Sequence, residues 1–484
     1  MSTLTTTRSV SAQDNSGTSS DPSFSSGRGN QWKTLVTKGF HRAAHPRIGT
    51  TLGIGLGTLI SLAPGLLPRT PSAQAVLTGL LAAAALAGAG FLRFALLRWD
   101  FDINRRWDRF RTPLLGSTVL VVVGMVAQAT HWQNRLRMAM DTVLIGPDYW
   151  LRWALVSVVI VAVLTGVVRV AGWFARKLGS VRSIAVGVVA ASVLYLVGIP
   201  AAVDWRQSAY AAANATIDPE LVQPVSYIRS GSAESAISWP SLGAQGRKFV
   251  TGSPTGPIRV YVGLDSATDI DSRVALAIRE LERSGGFERS NIVLAVPTGS
   301  GWIDPDAVRG FSERFGTDVA LVGMQYSYAP SWVTFVFGRD TAVAYARALF
   351  NAVERRIGTL DHKPELYVYG QSLGALGGSS IFADDADQDR RTCAALWAGP
   401  PAGQVHRAGA TVLANSSDPV VHWSPSLLWR APELRDVRVD APVPQWLPVV
   451  SFLQTSADLL AALNAPPGHG HRYGTDQGTA MGTC

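Results

Sequence analysis

The chain has 484 residues, of which 47% are hydrophobic and only 16% are Asp, Glu, Lys or Arg. That length admits a membrane part plus one large domain, and the shortage of charge concentrates between residues 48 and 203, where long apolar runs alternate with short basic ones. The net charge of +8 comes with no basic-aromatic face and no nucleic-acid motif, so nucleic-acid binding is set aside.

Residues 1–47 begin rich in Ser, Thr, Gly and Asn and end with Lys33, Lys38, Arg42 and Arg47. This composition predicts a disordered, basic cytoplasmic tail. No early apolar run of signal-peptide type occurs, so no cleaved leader is expected. Residues 48–203 then read as a transmembrane helical domain of about five spans, near 48–67, 73–92, 113–130, 152–171 and 183–203. One such run fits a buried core helix; five in a row do not.

Arg93, Arg98, Arg105, Arg106, Arg109 and Arg111 follow the second span, and Arg176, Lys177 and Arg182 follow the fourth. The intervening loops carry only Arg69, then Arg135, Arg137 and Arg152. With an odd number of spans, this bias predicts a cytoplasmic N-terminus and an extracytoplasmic C-terminal half in a multi-pass plasma-membrane protein. Residues 131–150 are too polar to cross, and read as an amphipathic helix on the outer surface or as a loop.

Residues 204–257 read as a linker and entry segment, and 258–484 as an α/β domain with a mainly parallel sheet. The predicted strands are 258–264, 291–297, 318–326, 365–370, 393–399 and 410–416, and helices are predicted over 271–284, 305–315 and 340–357. The strands are almost continuously apolar, as a sheet covered on both faces requires.

Within this domain, Gly370-Gln371-Ser372-Leu373-Gly374 follows the apolar run ELYVYG and precedes small helix-forming residues. A strand–turn–helix with this spacing suits a nucleophilic serine on a tight elbow; the plain alternative is a glycine-rich turn with an idle serine. A nucleophile of this kind needs an acid and then a histidine, in that chain order. Asp418, two strands on, fits the acid, against the alternative of an Asp-Pro turn. His471 fits the base, with His469 as alternate.

The Leu373 amide and the loop Gly299, Ser300, Gly301 are candidates for an oxyanion hole. Trp302, His422 and Trp423 are candidates to line a substrate pocket, although core packing equally explains a single Trp. No third ligand accompanies His469 and His471, so neither a metal nor another cofactor is expected. Cys393 and Cys484 lack ligand-like spacing. They read either as a disulfide, in an oxidising compartment, or as two separate thiols.

The segments SWPSLGAQGRKFV, PTGSGW, YGQSLGALGG, NSSDPVVHWSP and PPGHGHRY, together with the apolar spans, resemble the actinobacterial membrane-bound α/β-hydrolase family. The resemblance implies a multi-span N-terminal domain before a hydrolase domain. It also implies a triad of Ser372, Asp418 and one of the two tail histidines. An apolar helix-like stretch at 447–463, just before the histidine loop, departs from the commonest hydrolase layout.

The expected function is that of a membrane-anchored serine hydrolase, esterase or lipase-like, or an acyltransferase acting on a lipid or lipid-linked ester at the extracytoplasmic face. Its expected partners are the lipid bilayer and that substrate. The alternative is a non-catalytic transport or assembly partner with a hydrolase-like binding domain. Spans free of charge at their centres speak against a transport pathway.

Overall fold

The computed structural model describes residues 46–252, 255–434 and 436–484. The predicted disordered tail therefore lies almost wholly outside the described residues.

Five helices of 15 residues or more open the described chain: α1 (Ile48–Leu62), α2 (Pro71–Leu97), α3 (Arg111–Ala139), α4 (Pro147–Leu178) and α5 (Ser180–Ala215), with only short helical turns between α2 and α3. The last four are long and apolar enough to cross a membrane. Their apolar side chains face outward uncovered, as at Leu120, Val158 and Val168. Such a surface fits a membrane protein.

The first predicted span is shorter than expected, a helix of 15 residues, or about 22 Å. It nevertheless runs the same course as its neighbours. Its start is tied to the α2–α3 turn by the Ile48 N–H, which donates to Asn104 Oδ1 at 3.1 Å. Its end joins the α1–α2 loop on the opposite side. Gly53 and Gly57 let α1 lie against α2, since a Cβ on Gly57 would fall 2.6 Å from the Ala82 backbone. This is the small-residue contact typical of helices in lipid.

Two expectations about the connecting segments are corrected. Residues 131–139 form neither a separate surface helix nor a loop but the last turns of α3. Trp132, Leu136 and Met140 recur at helical spacing and bury themselves against Leu66 and Leu67, so their apolar stripe meets protein rather than lipid. Residues 204–215 belong to α5, not to a linker. At 36 residues that helix is about 54 Å long, more than a bilayer core of about 30 Å needs. Its alanine-rich last turns carry it out to the second domain.

There, six strands form one parallel sheet in the order β1-β3-β2-β4-β5-β6. They are β1 (Ile258–Val262), β2 (Asn291–Val296), β3 (Val319–Met324), β4 (Glu365–Gln371), β5 (Ala394–Ala398) and β6 (Ala410–Leu413). All six were expected, with boundaries that agree to within three residues. The inner strands are buried on both faces by helices, including Ile270–Arg283, Pro305–Phe315 and Arg339–Gly358. The predicted helix-like stretch before the histidine loop is the helix Val450–Leu459, followed by a short turn at Ala462–Asn464. Cys393, at the start of β5, is disulfide-bonded to Cys484.

Candidate active site

The carboxyl edge of this sheet gathers three segments. β4 ends at Gln371, and Ser372 turns the chain into the helix Leu373–Ser379. Ser372 has φ 56° and ψ −123°, a conformation that costs a non-glycine residue about 1–3 kcal/mol. The surrounding glycines make so sharp a turn passable. A Cβ on Gly370 would lie 2.3 Å from Gly374 O, and one on Gly374 would lie 2.2 Å from Val296 O. The Ser372 N–H is held by Ala398 O at 2.8 Å, which locks the elbow to the end of β5.

Asp418 lies past the end of β6 and caps the short helix Pro419–His422, accepting from the Val420 N–H at 2.8 Å through Oδ1. Aspartate before an N1 proline is a favoured helix start. The other oxygen, Oδ2, is 2.7 Å from His471 Nδ1 and accepts from the Tyr473 hydroxyl at 2.7 Å. All three residues are buried. Burial, reinforced by the Asp418 charge, pushes the Tyr473 phenol well above its usual range, so it remains a donor.

The two tail histidines have different partners. His471 faces Asp418, whereas His469 Nδ1 lies 3.0 Å from Asp440 Oδ2 and is more exposed. Asp440 also accepts from the Ser416 hydroxyl and the Ser417 N–H, so its carboxylate braces the strand exit that leads to Asp418.

The histidine loop is tied to the elbow as well, because Gln371 Nε2 donates to His471 O at 3.3 Å. His471 Nε2 is buried and has no hydrogen-bond partner among the described residues. An unpaired buried nitrogen costs about 1–3 kcal/mol. With Nδ1 engaged by Asp418, Nε2 is the ring atom open to a proton from outside the pair.

The helix that begins at Leu373 presents its first N–H groups without intrahelical acceptors. In the loop after β2, the Gly299 N–H donates to Ser331 Oγ at 3.1 Å and the Gly301 N–H to Thr298 O at 2.8 Å. The Ser300 carbonyl accepts from Gln325 Nε2, which also donates to Asn214 Oδ1 in the last turn of α5.

Trp302 is partly exposed at the end of that loop. Trp423 stacks near Phe335 and Phe452 and donates to Ser456 Oγ. His422 is 5% exposed, and its Nε2 lies 2.9 Å from Ser416 O. Burial pushes the His422 imidazole below its ordinary range. It is a packed strut beside Asp418 rather than an open pocket residue.

Sequence reasoning assigned no role to Tyr473, Gly399, Gln371 or Asp440. Tyr473 had no more of a signal than its place two residues after His471.

A parallel sheet with a strained serine at a strand–helix turn, and an Asp–His pair reaching the same edge, defines the α/β-hydrolase class. The chain belongs to an α/β-hydrolase family: the description "Alpha/beta-hydrolase family" matches residues 258–411 and 406–482, and "Alpha/beta-hydrolase family N-terminus" matches 62–254. No curated protein and no solved structure matches the chain.

Proposed function

We propose that the protein is a membrane-anchored serine hydrolase or acyltransferase acting on a lipid or lipid-linked ester at the outer face of the plasma membrane. The reading is carried by the left-handed Ser372 elbow together with the 2.7 Å contact of His471 with Asp418, the histidine loop being tied to the elbow strand through Gln371.

In this reading His471 Nε2 takes the Ser372 hydroxyl proton while Oγ bonds to the ester carbonyl carbon. Asp418 and Tyr473 hold the ring, and Asp418 stabilises the imidazolium that forms. The Leu373 N–H donates to the tetrahedral oxyanion. In the 299–301 loop only the Ser300 N–H is available as a second donor, because those of Gly299 and Gly301 are spent on Ser331 Oγ and Thr298 O, against the sequence expectation for both glycines. The intermediate collapses by breaking the carbon–oxygen bond to the alcohol, which leaves with the proton from His471. Water, or a lipid or sugar hydroxyl, then gives its proton to His471 and attacks the acyl-serine, and Ser372 is released reprotonated.

The placement at the membrane rests on two supports. Basic residues gather at the ends of α1–α5 far from the hydrolase domain, at Arg47, in the α2–α3 turn and around Arg176, Lys177 and Arg182. The positive-inside rule puts that end in the cytoplasm, with the bilayer around the helices. The Cys393–Cys484 disulfide agrees, because such bonds persist in oxidising compartments. An ester anchored in the outer leaflet is the substrate nearest to such a site.

The test is labelling of the full chain in lipid nanodiscs by a fluorophosphonate, followed by peptide mass spectrometry. The adduct is expected on Ser372 and is absent from Ser372→Ala. Folded protein that takes no adduct at Ser372 would favour the non-catalytic transport or assembly reading.

A further inference from the structure

The α1–α2 loop, residues 63–70, reaches the histidine loop of the hydrolase domain through a short chain of contacts. Its centre is Asp458, in the helix Val450–Leu459, whose side chain is fully shielded from solvent. Asp458 Oδ1 accepts from Arg69 Nε at 2.9 Å and Nη2 at 2.8 Å, and Oδ2 accepts from the Leu66 N–H at 2.7 Å. Arg69 Nη2 also donates to Gln454 O at 3.1 Å.

The same loop is fastened to the membrane region. Trp132 Nε1 donates to Gly65 O, the Arg69 N–H to Gln133 Oε1 and Arg137 Nη2 to Arg69 O, all within 2.7–2.9 Å. Arg69, the sparse outer-loop charge of the sequence, is thus a buried bolt between two domains.

On its far side the bolt meets the catalytic histidine. The turn after Asp458 supplies Ala462 O, which accepts from the His471 N–H at 3.1 Å. Leu66 and Leu67 pack with Ala441 and Ala465 in one apolar cluster. Gly470, at φ 55°, is so close that a Cβ there would lie 3.3 Å from Leu67 and 2.7 Å from Ala465. The 465–473 segment contains no regular element of its own, so its shape is set by what packs on it.

We infer that the α1–α2 loop of the membrane region is a structural part of the active site, and that Arg69 is a positioning residue for His471. A buried ion pair adds little net stability over an apolar pair, and its best-attested use is to fix registry. Two Arg69 donors on Asp458 Oδ1 and the Leu66 N–H on Oδ2 fix the carboxylate from both sides, which suits that use. Removing either partner leaves a buried charge uncompensated and frees the helix Val450–Leu459, whose following turn carries Ala462. The inference rests on the reading of Ser372 and His471 as nucleophile and base.

The test uses the full chain in nanodiscs, as wild type, Arg69→Ala, Asp458→Asn and the milder Arg69→Lys. Two quantities are read: the fluorophosphonate labelling rate at Ser372 per folded molecule, and amide hydrogen exchange over residues 460–473. A misplacement of about 1 Å at a base costs on the order of 100-fold in rate. Arg69→Ala and Asp458→Asn are therefore expected to label ~10- to 100-fold more slowly, with faster exchange over 460–473, and Arg69→Lys to recover part of both.

Variants that label at the wild-type rate per folded molecule would overturn the inference, even with a lower melting temperature, since the loop would then serve stability alone. Unchanged exchange over 460–473 would overturn it independently of activity. If wild type itself takes no label at Ser372, the functional reading fails, and the exchange data alone decide whether the loop orders the histidine segment.

Discussion

Gly399 and His471 occupy adjoining space so closely that a Cβ on Gly399 would lie 2.6 Å from His471 Cε1 and 2.9 Å from Asp418 Oδ2. Gly399 also has φ 54°, which favours glycine. Gly399→Ala is therefore expected to displace the imidazole and slow fluorophosphonate labelling of Ser372 by ~100-fold. A labelling rate within a factor of two of wild type would show that the ring does not need this space.

Asp418 orients and charges the pair with His471. Asp418→Asn is expected to lower turnover of an ester substrate by about 10,000-fold, the scale seen when an orienting carboxylate becomes an amide. The variant should remain folded, because its side-chain oxygen can still cap the helix Pro419–His422. Steady-state kinetics and a melting curve on the same preparation separate the two effects.

Tyr473→Phe removes one hydroxyl donor from Asp418 Oδ2 without emptying its buried site. A hydrogen bond to a charged group contributes ~1.5–3 kcal/mol. Tyr473→Phe is expected to lower the melting temperature by several degrees and to reduce kcat with little change in KM. Differential scanning calorimetry and initial rates check both.

His422 gives a stability test with a definite sign. Burial holds its native pKa below the ordinary histidine value, which is ~6.5 in an unfolded chain. Above that value both states are neutral, and the native state loses nothing. As the pH falls below ~6.5, the unfolded chain binds a proton that the native site resists, and stability declines toward the depressed native pKa. Melting temperatures between pH 7.5 and 5 should fall more steeply for wild type than for His422→Gln. Parallel curves would contradict the assignment.

The Cys393–Cys484 disulfide joins residues 91 apart in sequence. Removing a cross-link of that span costs about 2–5 kcal/mol. The double Cys→Ala variant should melt at a lower temperature and retain labelling at Ser372, since the bond lies near the opposite, amino edge of β5. Loss of labelling in folded protein would place the bond closer to the chemistry than its position suggests.

Much of the architecture was legible in local sequence. The six strands are short apolar runs between turn signals, and the elbow announces itself by glycines that β4 and its helix require. Asp418 was legible because an N-cap before proline after a strand is a local pattern. What escaped were contacts made across the chain. Arg69 read as a loop charge because nothing near it in sequence points to Asp458. Residues 131–150 read as a surface helix or a loop because an apolar stripe cannot say whether lipid or protein covers it. The choice between His469 and His471 turned on which carboxylate each meets, and neither Asp440 nor Asp418 lies within 25 residues of them.

Catalysis at this site requires one proton to pass from Ser372 to one particular imidazole. Comparing fluorophosphonate labelling rates of His471→Ala and His469→Ala in the full chain measures this directly. His471→Ala is expected to label at least ~1,000-fold more slowly than wild type, while His469→Ala stays within about tenfold. Rapid labelling of His471→Ala, with the loss appearing in His469→Ala instead, would contradict the role given to His471.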